Sequence, residues 1–162
     1  MSLPSVTAAV PGGFTEARFE SFLRERDEPS WLTERRRESF ARLQAFAWPN
    51  SREEEWRRTD LRALKLDQFS VPKTDAPSAE AKGALDGLWN QLGSHYATGI
   101  EHINGSAVRQ ADPGKLGQAV FLDLNQAVKD HPELVQRYLM TQAVKPSDDY
   151  FAALHGAFWT GG

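Results

Sequence analysis

The stretch Asn50–Leu66, NSREEEWRRTDLRALKL, constrains the fold more than any other because it carries two helix-start signals in close succession. Ser51 stands three residues before Glu54, the spacing of a capping box. In that motif the hydroxyl and the carboxylate each satisfy a free backbone N–H at a helix start. Glu53, Glu54 and Glu55 then fall in the first turn, where the positive end of the helix dipole favours carboxylates. Thr59 and Asp60 are both good N-cap residues, placed ahead of Leu61, Leu64 and Leu66. Trp56 is the one large apolar side chain before Leu61. The run predicts a helical turn, a bend and a second short turn, with Trp56 as a core plug and Asp60 as a cap.

The chain of 162 residues suffices for one ordinary domain whose core needs neither disulfide nor metal. Its net charge of −3 leaves no overall nucleic-acid footprint. The charge is uneven, however: residues 31–66 carry a net +3 and residues 67–162 a net −4. Cysteine is absent, which excludes disulfides, thiolate metal ligands and a Cys nucleophile. The leading MSLPSVTAAVPGG lacks the charged and apolar regions of a secretory signal. No apolar run is long enough to span a bilayer. These features point to a soluble, cytoplasmic protein with neither membrane nor nucleic acid as partner.

In chain order, residues 1–13 read as a flexible leader. Thr15 caps a first helix whose apolar stripe is Phe14, Phe19, Phe22 and Leu23, and Asp27-Glu28-Pro29 stops it. Ser30 caps a second helix to about Ala47, with Leu32, Ser39, Phe40, Leu43, Phe46 and Ala47 inward. Arg35, Arg36 and Arg37 cannot share one face at helical spacing. Residues 14–70 thus form an N-terminal helical region, and 71–82 a linker rich in Pro, Ala and Ser. A third helix from Ser78 to Leu92 has Leu85, Leu88, Trp89 and Leu92 on one stripe. Asn104-Gly105, flanked by alternating apolar residues, predicts a hairpin with a type I′ turn. Asp112-Pro113-Gly114 is a second turn, and Ala119-Val120-Phe121-Leu122 a short buried strand. Asp123 caps the next helix, His131-Pro132 separates it from another, and a last helix carries Tyr150, Phe151, Leu154 and Phe158. Residues 83–162 are therefore a small α+β region. The fold class is α+β and mainly helical: an N-terminal helical hairpin plus a small β-sheet packed with helices.

Signs of chemistry are sparse. His95, His102, His131 and His155 show no i, i+4 ligand spacing. Asp148-Asp149 reads as a cap with first-turn charge. No phosphate-binding glycine loop or nucleophile elbow is present. Catalytic, cofactor-binding and metal residues are therefore all read as none. The basic residues from Arg35 to Lys65 are interleaved with Glu34, Glu38 and Glu53–Glu55, the pattern of a solvated or protein-docking face.

EEEWRRTDLRAL resembles a signature of the SufB/SufD family of iron–sulfur cluster assembly proteins, carried here by Glu54, Glu55, Trp56, Arg57, Thr59, Asp60 and Leu61. Arg58 stands where many relatives carry Tyr. His131-Pro132-Glu133-Leu134-Val135 and Phe151-Ala152-Ala153-Leu154 through Gly162 extend the resemblance. It implies a SufD-like N-terminal domain, followed in relatives by a right-handed β-helix that this chain lacks. It further implies a non-catalytic scaffold role beside SufB-like and SufC-like (ATPase) subunits, with the iron–sulfur cluster belonging to the full-length complex and no cofactor in this chain. If a β-helix normally covers Phe151, Leu154, Phe158 and Trp159, these side chains are left partly bare and favour a homodimer. Two rival readings are a stand-alone helical protein-interaction adaptor and a small hydrolase or metal enzyme using His95 and His102.

Overall fold

The computed structural model describes residues 13–71, 78–93, 95–110 and 117–161. Residues 1–12 of the expected leader, 72–77 of the expected linker and the Asp112-Pro113-Gly114 turn lie outside the described residues. Six α-helices are described: α1 (Glu16–Arg24), α2 (Ser30–Ala45), α3 (Ala79–Leu92), α4 (Leu124–Asp130), α5 (Pro132–Tyr138) and α6 (Tyr150–Phe158). Two short 3-10 turns, Leu61–Ala63 and Leu66–Gln68, follow α2, and strands β1 (Ile100–Ile103) and β2 (Ser106–Gln110) form one antiparallel hairpin. The fold is α+β and mainly helical, as the patterning predicts.

Most caps fall where the sequence puts them. The side chains of Thr15, Ser78, Asp123 and Asp149 each accept from a backbone N–H in the first turn of α1, α3, α4 and α6. Ser30 is an exception: α2 starts one residue earlier, with Pro29 at the N-cap and no side-chain cap bond. Pro29 has φ −66°, ψ 151°, and its carbonyl accepts from Leu32 and Thr33. Proline's fixed φ suits this extended position without a hydroxyl.

Helix α2 packs along α6 at close range. A Cβ on Gly156 would stand 2.7 Å from Ser39 Oγ and 2.9 Å from Pro146 Cγ, so only glycine allows this approach. Around it lie Phe19, Phe22, Phe40, Leu43, Ala153, Ala157 and Phe158, with Phe19 stacked on Phe40 at 4.2 Å. Phe158 is edge-on to Phe14, Phe19 and Phe40. A second cluster of Leu32, Val128, Val135 and Trp159 joins α2 to α4 and α5.

Between the two clusters sits a buried charge. The Arg36 side chain is 0 % exposed and donates from Nε and Nη2 to Glu28 at 2.7 and 2.8 Å. Its Nη1 donates to the Ala157 carbonyl at 3.1 Å, and the guanidinium lies 4.2 Å from the Trp159 ring centroid. Arg26 also binds Glu28, and it reaches Asn125 Oδ1 at 2.7 Å and the Thr160 carbonyl at 3.3 Å. Burial pushes the Glu28 carboxyl up, but its bonds to Arg36 and Arg26 outweigh this and hold it below the usual range.

Three expectations need correction. Residues 119–122 form no strand; Val120 and Phe121 are 65 % and 46 % exposed. A four-residue apolar run lacks the pairing partner that a strand requires, and the two described strands pair only with each other. Phe158 and Trp159 are not bare but 7 % and 5 % exposed, while Phe151 and Leu154 are half-buried, so the expected apolar patch is reduced to those two. Phe158 and Trp159 are covered by α1, α2 and the Arg36 guanidinium rather than by a further domain. Ala47, expected to face inward, lies beyond the end of α2 and is exposed.

The hairpin turn is as predicted, with φ 52° at Asn104 and 79° at Gly105. A register shift between Glu101 and His102 leaves Val108 of β2 as the extra, unpaired residue of a bulge. Helix α3 meets the hairpin through Trp89, which stands over Gly99, against Tyr96 and under the Arg109 guanidinium. Arg109 binds Asp86 at 3.1 Å and also Glu101.

Removing one partner of a buried ion pair strands the other without compensation. Arg36→Ala is expected to cost about 3–5 kcal/mol in urea-unfolding free energy; a loss near that of an exposed Arg37→Ala control would contradict the assignment. Because the folded Glu28 pKa lies below its ordinary value, its stabilisation is complete above about 4.5 and is lost as pH falls through the folded value. Thermal midpoints should therefore fall on acidification below pH ~4.5 in the native protein, and less steeply in Glu28→Gln.

Candidate functional site

The run after α2 turns away from the core and builds the most featured surface of the described residues. Residues 51–58 are successive hydrogen-bonded turns rather than a helix, with N–H donations from Glu53 to Asn50, Trp56 to Glu53 and Thr59 to Trp56. The predicted Ser51–Glu54 capping box does not form. Asn50 takes that role: its side chain accepts from the Arg52 N–H at 3.0 Å and donates to Glu53. Asn competes well for such local turns, and these short turns offer no i−4 ladder to cap. Asp60 does cap, accepting from the Arg62 N–H at 3.0 Å.

The seven residues of the sequence signature sit together here. Glu54 pairs with Arg57 at 3.1 Å, both exposed, and Glu55 and Thr59 face solvent. Trp56 is half-buried rather than a core residue, its ring 5.3 Å from Phe151 of α6. Its anchorage is one aromatic neighbour because the turns around it carry almost no other apolar side chain. Asp60 grips Arg62 through both carboxylate oxygens at 2.8 and 2.9 Å. These bonds, with the backbone bond from Arg62, hold its carboxyl down to about 2.

Leu61 is half-buried and, with Trp48 and Pro49, floors an open cavity of about 570 Å³ rimmed by Arg57, Arg58 and Arg62. A second cavity of about 360 Å³ shares Trp48, Leu61 and Arg62 and adds Leu64, Lys65 and Tyr150, so the two form one groove. Trp48, 40 % exposed, is propped edge-on by Tyr150 at 5.2 Å and Phe151 at 5.7 Å. In the sequence Trp48-Pro49 marks only a helix stop. The missed signal is that an aromatic just past a helix end, before a proline, has no helix face to be buried on.

The histidines are dispersed. His102 Nε2 lies 3.0 Å from Asp123 Oδ1, while Asp123 Oδ2 accepts from the Asn125 and Gln126 N–H groups. This contact links the hairpin to α4, a pairing across twenty-one residues that spacing does not reveal. His95 and His155 are exposed, and His131 lies between α4 and α5. Among the described residues no three His, Asp or Glu side chains are grouped to hold a metal ion. No described helix is long and apolar enough to cross a membrane.

A family model described as the SufBD protein N-terminal region matches residues 18–162, which include the groove, the buried Arg36 cluster and the hairpin. This chain belongs to the SufBD N-terminal family. It is 22% identical over 94% of its length to the iron–sulfur cluster assembly SufBD family protein ABCI9 of Arabidopsis thaliana, covering 36% of that relative. It is 23% identical to the iron–sulfur cluster assembly protein SufD of Bacillus subtilis (strain 168), over 88% of this chain and 33% of the relative. SufB of the same organism is also 23% identical, over 93% of this chain and 34% of the relative. The chain thus spans about a third of the length of these curated relatives. No solved structure matches it. Within this SufBD N-terminal region, the signature string supplies the groove's rim and floor.

The Asp60–Arg62 grip is directly measurable. A carbon-detected NMR titration should place the Asp60 carboxyl pKa at about 2, and Arg62→Gln should return it towards 3.8. An unchanged value in the variant would show that the pair does not persist in solution.

Proposed function

We propose that this SufBD N-terminal region serves iron–sulfur cluster assembly as a packing and docking unit of a SufD-like subunit. The observation that carries the reading is the family match across residues 18–162. The names of the relatives support the assembly role, and their equal identities to SufD and SufB make the SufD-like assignment part of the proposal. Its partners would be SufB-like and SufC-like (ATPase) subunits, and its compartment the cytoplasm.

The docking role, rather than catalysis, rests on how the polar groups are used. Glu28 is held by Arg36 and Arg26, Asp60 by Arg62, and Asp123 by His102 and two backbone N–H groups. A general acid or base needs a free proton-transfer position facing a cleft, and these carboxylates spend theirs on structure. The exposed groove offers what a docking surface uses instead: aromatic area and arginine.

Co-expression with SufB-like and SufC-like subunits of the same source tests the reading. The chain is expected to co-purify with them when fused to the remainder of a SufD-like subunit, and alone to contain no stoichiometric iron by elemental analysis. Failure to join the complex, or iron bound one-to-one by the isolated chain, would overturn it.

A further inference from the structure

We infer that the groove flanked by Trp48 and Arg62 is a binding site for an extended acidic segment of a partner protein, one that alternates carboxylate and apolar side chains. This rests on the docking reading above and names the chemistry of what docks. The two cavities adjoin at Trp48, Leu61 and Arg62, so a peptide segment laid across those three side chains reaches both, which a compact ligand in either cavity does not. Its floor is apolar, made by Trp48, Pro49, Leu61 and Leu64. Its rim carries Arg57, Arg58, Arg62 and Lys65.

The charge on that rim is not cancelled. Arg57 leans on exposed Glu54, and Arg62 is held by Asp60. Among the described residues Arg58 and Lys65 have no carboxylate partner. Asp67 is the other acid lining the groove, so four cations face two carboxylates there. Arginine donors suit carboxylates through paired N–H bonds, and a solvent-exposed Trp beside Arg is the composition enriched where binding energy concentrates. The Asp60 bonds also fix the Arg62 guanidinium in place beforehand, which lowers the ordering cost of binding.

A nucleic acid would present phosphates at regular intervals to a one-signed face. Here Glu53, Glu54 and Glu55 lie beside the rim and would repel a polyanion that runs past it. A short acidic and apolar segment carries fewer charges past them and needs only Arg58 and Lys65, the rim cations without a carboxylate partner among the described residues.

The test uses a short fluorescein-labelled peptide alternating Glu and Leu, its Lys-Leu counterpart, and single-stranded DNA as probes in anisotropy titrations of the whole chain. The acidic peptide is expected to bind in low salt and to weaken as salt rises. Arg58→Glu with Lys65→Glu should weaken it roughly tenfold, and Trp48→Ala should weaken it at every salt concentration. Both charge positions are exposed, and an unchanged thermal midpoint in the double variant would confirm that folding is intact. Arg35→Glu, away from the groove, should leave binding unchanged. Equal affinity for the Lys-Leu peptide, tighter binding of DNA, indifference to the double reversal, or no binding of any probe would each overturn the inference. The assembly reading is separated by co-expression: a double variant that still joins the complex, or a native chain that joins it but does not bind the peptide, sinks the groove alone. A native chain that binds the peptide but never joins the complex sinks the assembly reading alone.

Discussion

The Arg36 guanidinium is the tie on which the rest of this structure depends. It is wholly buried, and each of its three guanidinium nitrogens donates, to Glu28 from the α1–α2 connection or to Ala157 from α6. A charge in an apolar interior is tolerable only when it is paired and hydrogen-bonded on all sides. Glu28 is eight residues from Arg36 but Ala157 is 121 away, so the guanidinium's hydrogen bonds are completed only when α6 has packed against α2. Trp159, laid flat against the guanidinium, closes the cavity from the C-terminal side. Arg26 and Asn125 then hold the Thr160 carbonyl and fix the path of the tail past the hairpin turn. Gly105 and Gly161 meet there with no room for a side chain on either.

Against this body, α3 and the hairpin form a lighter unit. No residue of α3 is buried, and Leu88 and Leu92 are half exposed along its stripe. Its links are the Trp89 ring and the Arg109 pairs with Asp86 and Glu101, contacts of the kind that open locally at low cost. Stability is therefore unevenly spread. The helical body holds the Trp48–Arg62 groove through Tyr150 and Phe151, so the groove is tied to the helical body and not to the hairpin.

Much of this was legible in the sequence because it is local. Caps at Thr15, Ser78, Asp123 and Asp149, the Asn104-Gly105 turn and the inward stripe of Phe19, Phe22, Phe40 and Leu43 follow from spacing alone. Arg36 was not legible, since an arginine among three arginines gives no sign of which one points inward. That choice is made by Glu28 and Trp159, which are distant in sequence. The same cause explains the error at Phe158 and Trp159: their cover comes from the chain's own N-terminal helices, not from a following domain. Residues 119–122 have the composition of a strand, but the described strands pair only with each other. In the groove, the acidic and basic letters of the signature string were visible, whereas the floor they stand around depends on where α6 props Trp48.

The buried Arg36, paired with Glu28 and bonded to Ala157, makes α1, α2 and α6 a single cooperative body that presents the groove. Native-state amide hydrogen exchange measures this most directly. It predicts one shared, highest opening free energy for the inner amides of α2 and α6, with α3 and the hairpin exchanging earlier. If α6 amides open independently of α2, well below the global free energy, the claim is wrong.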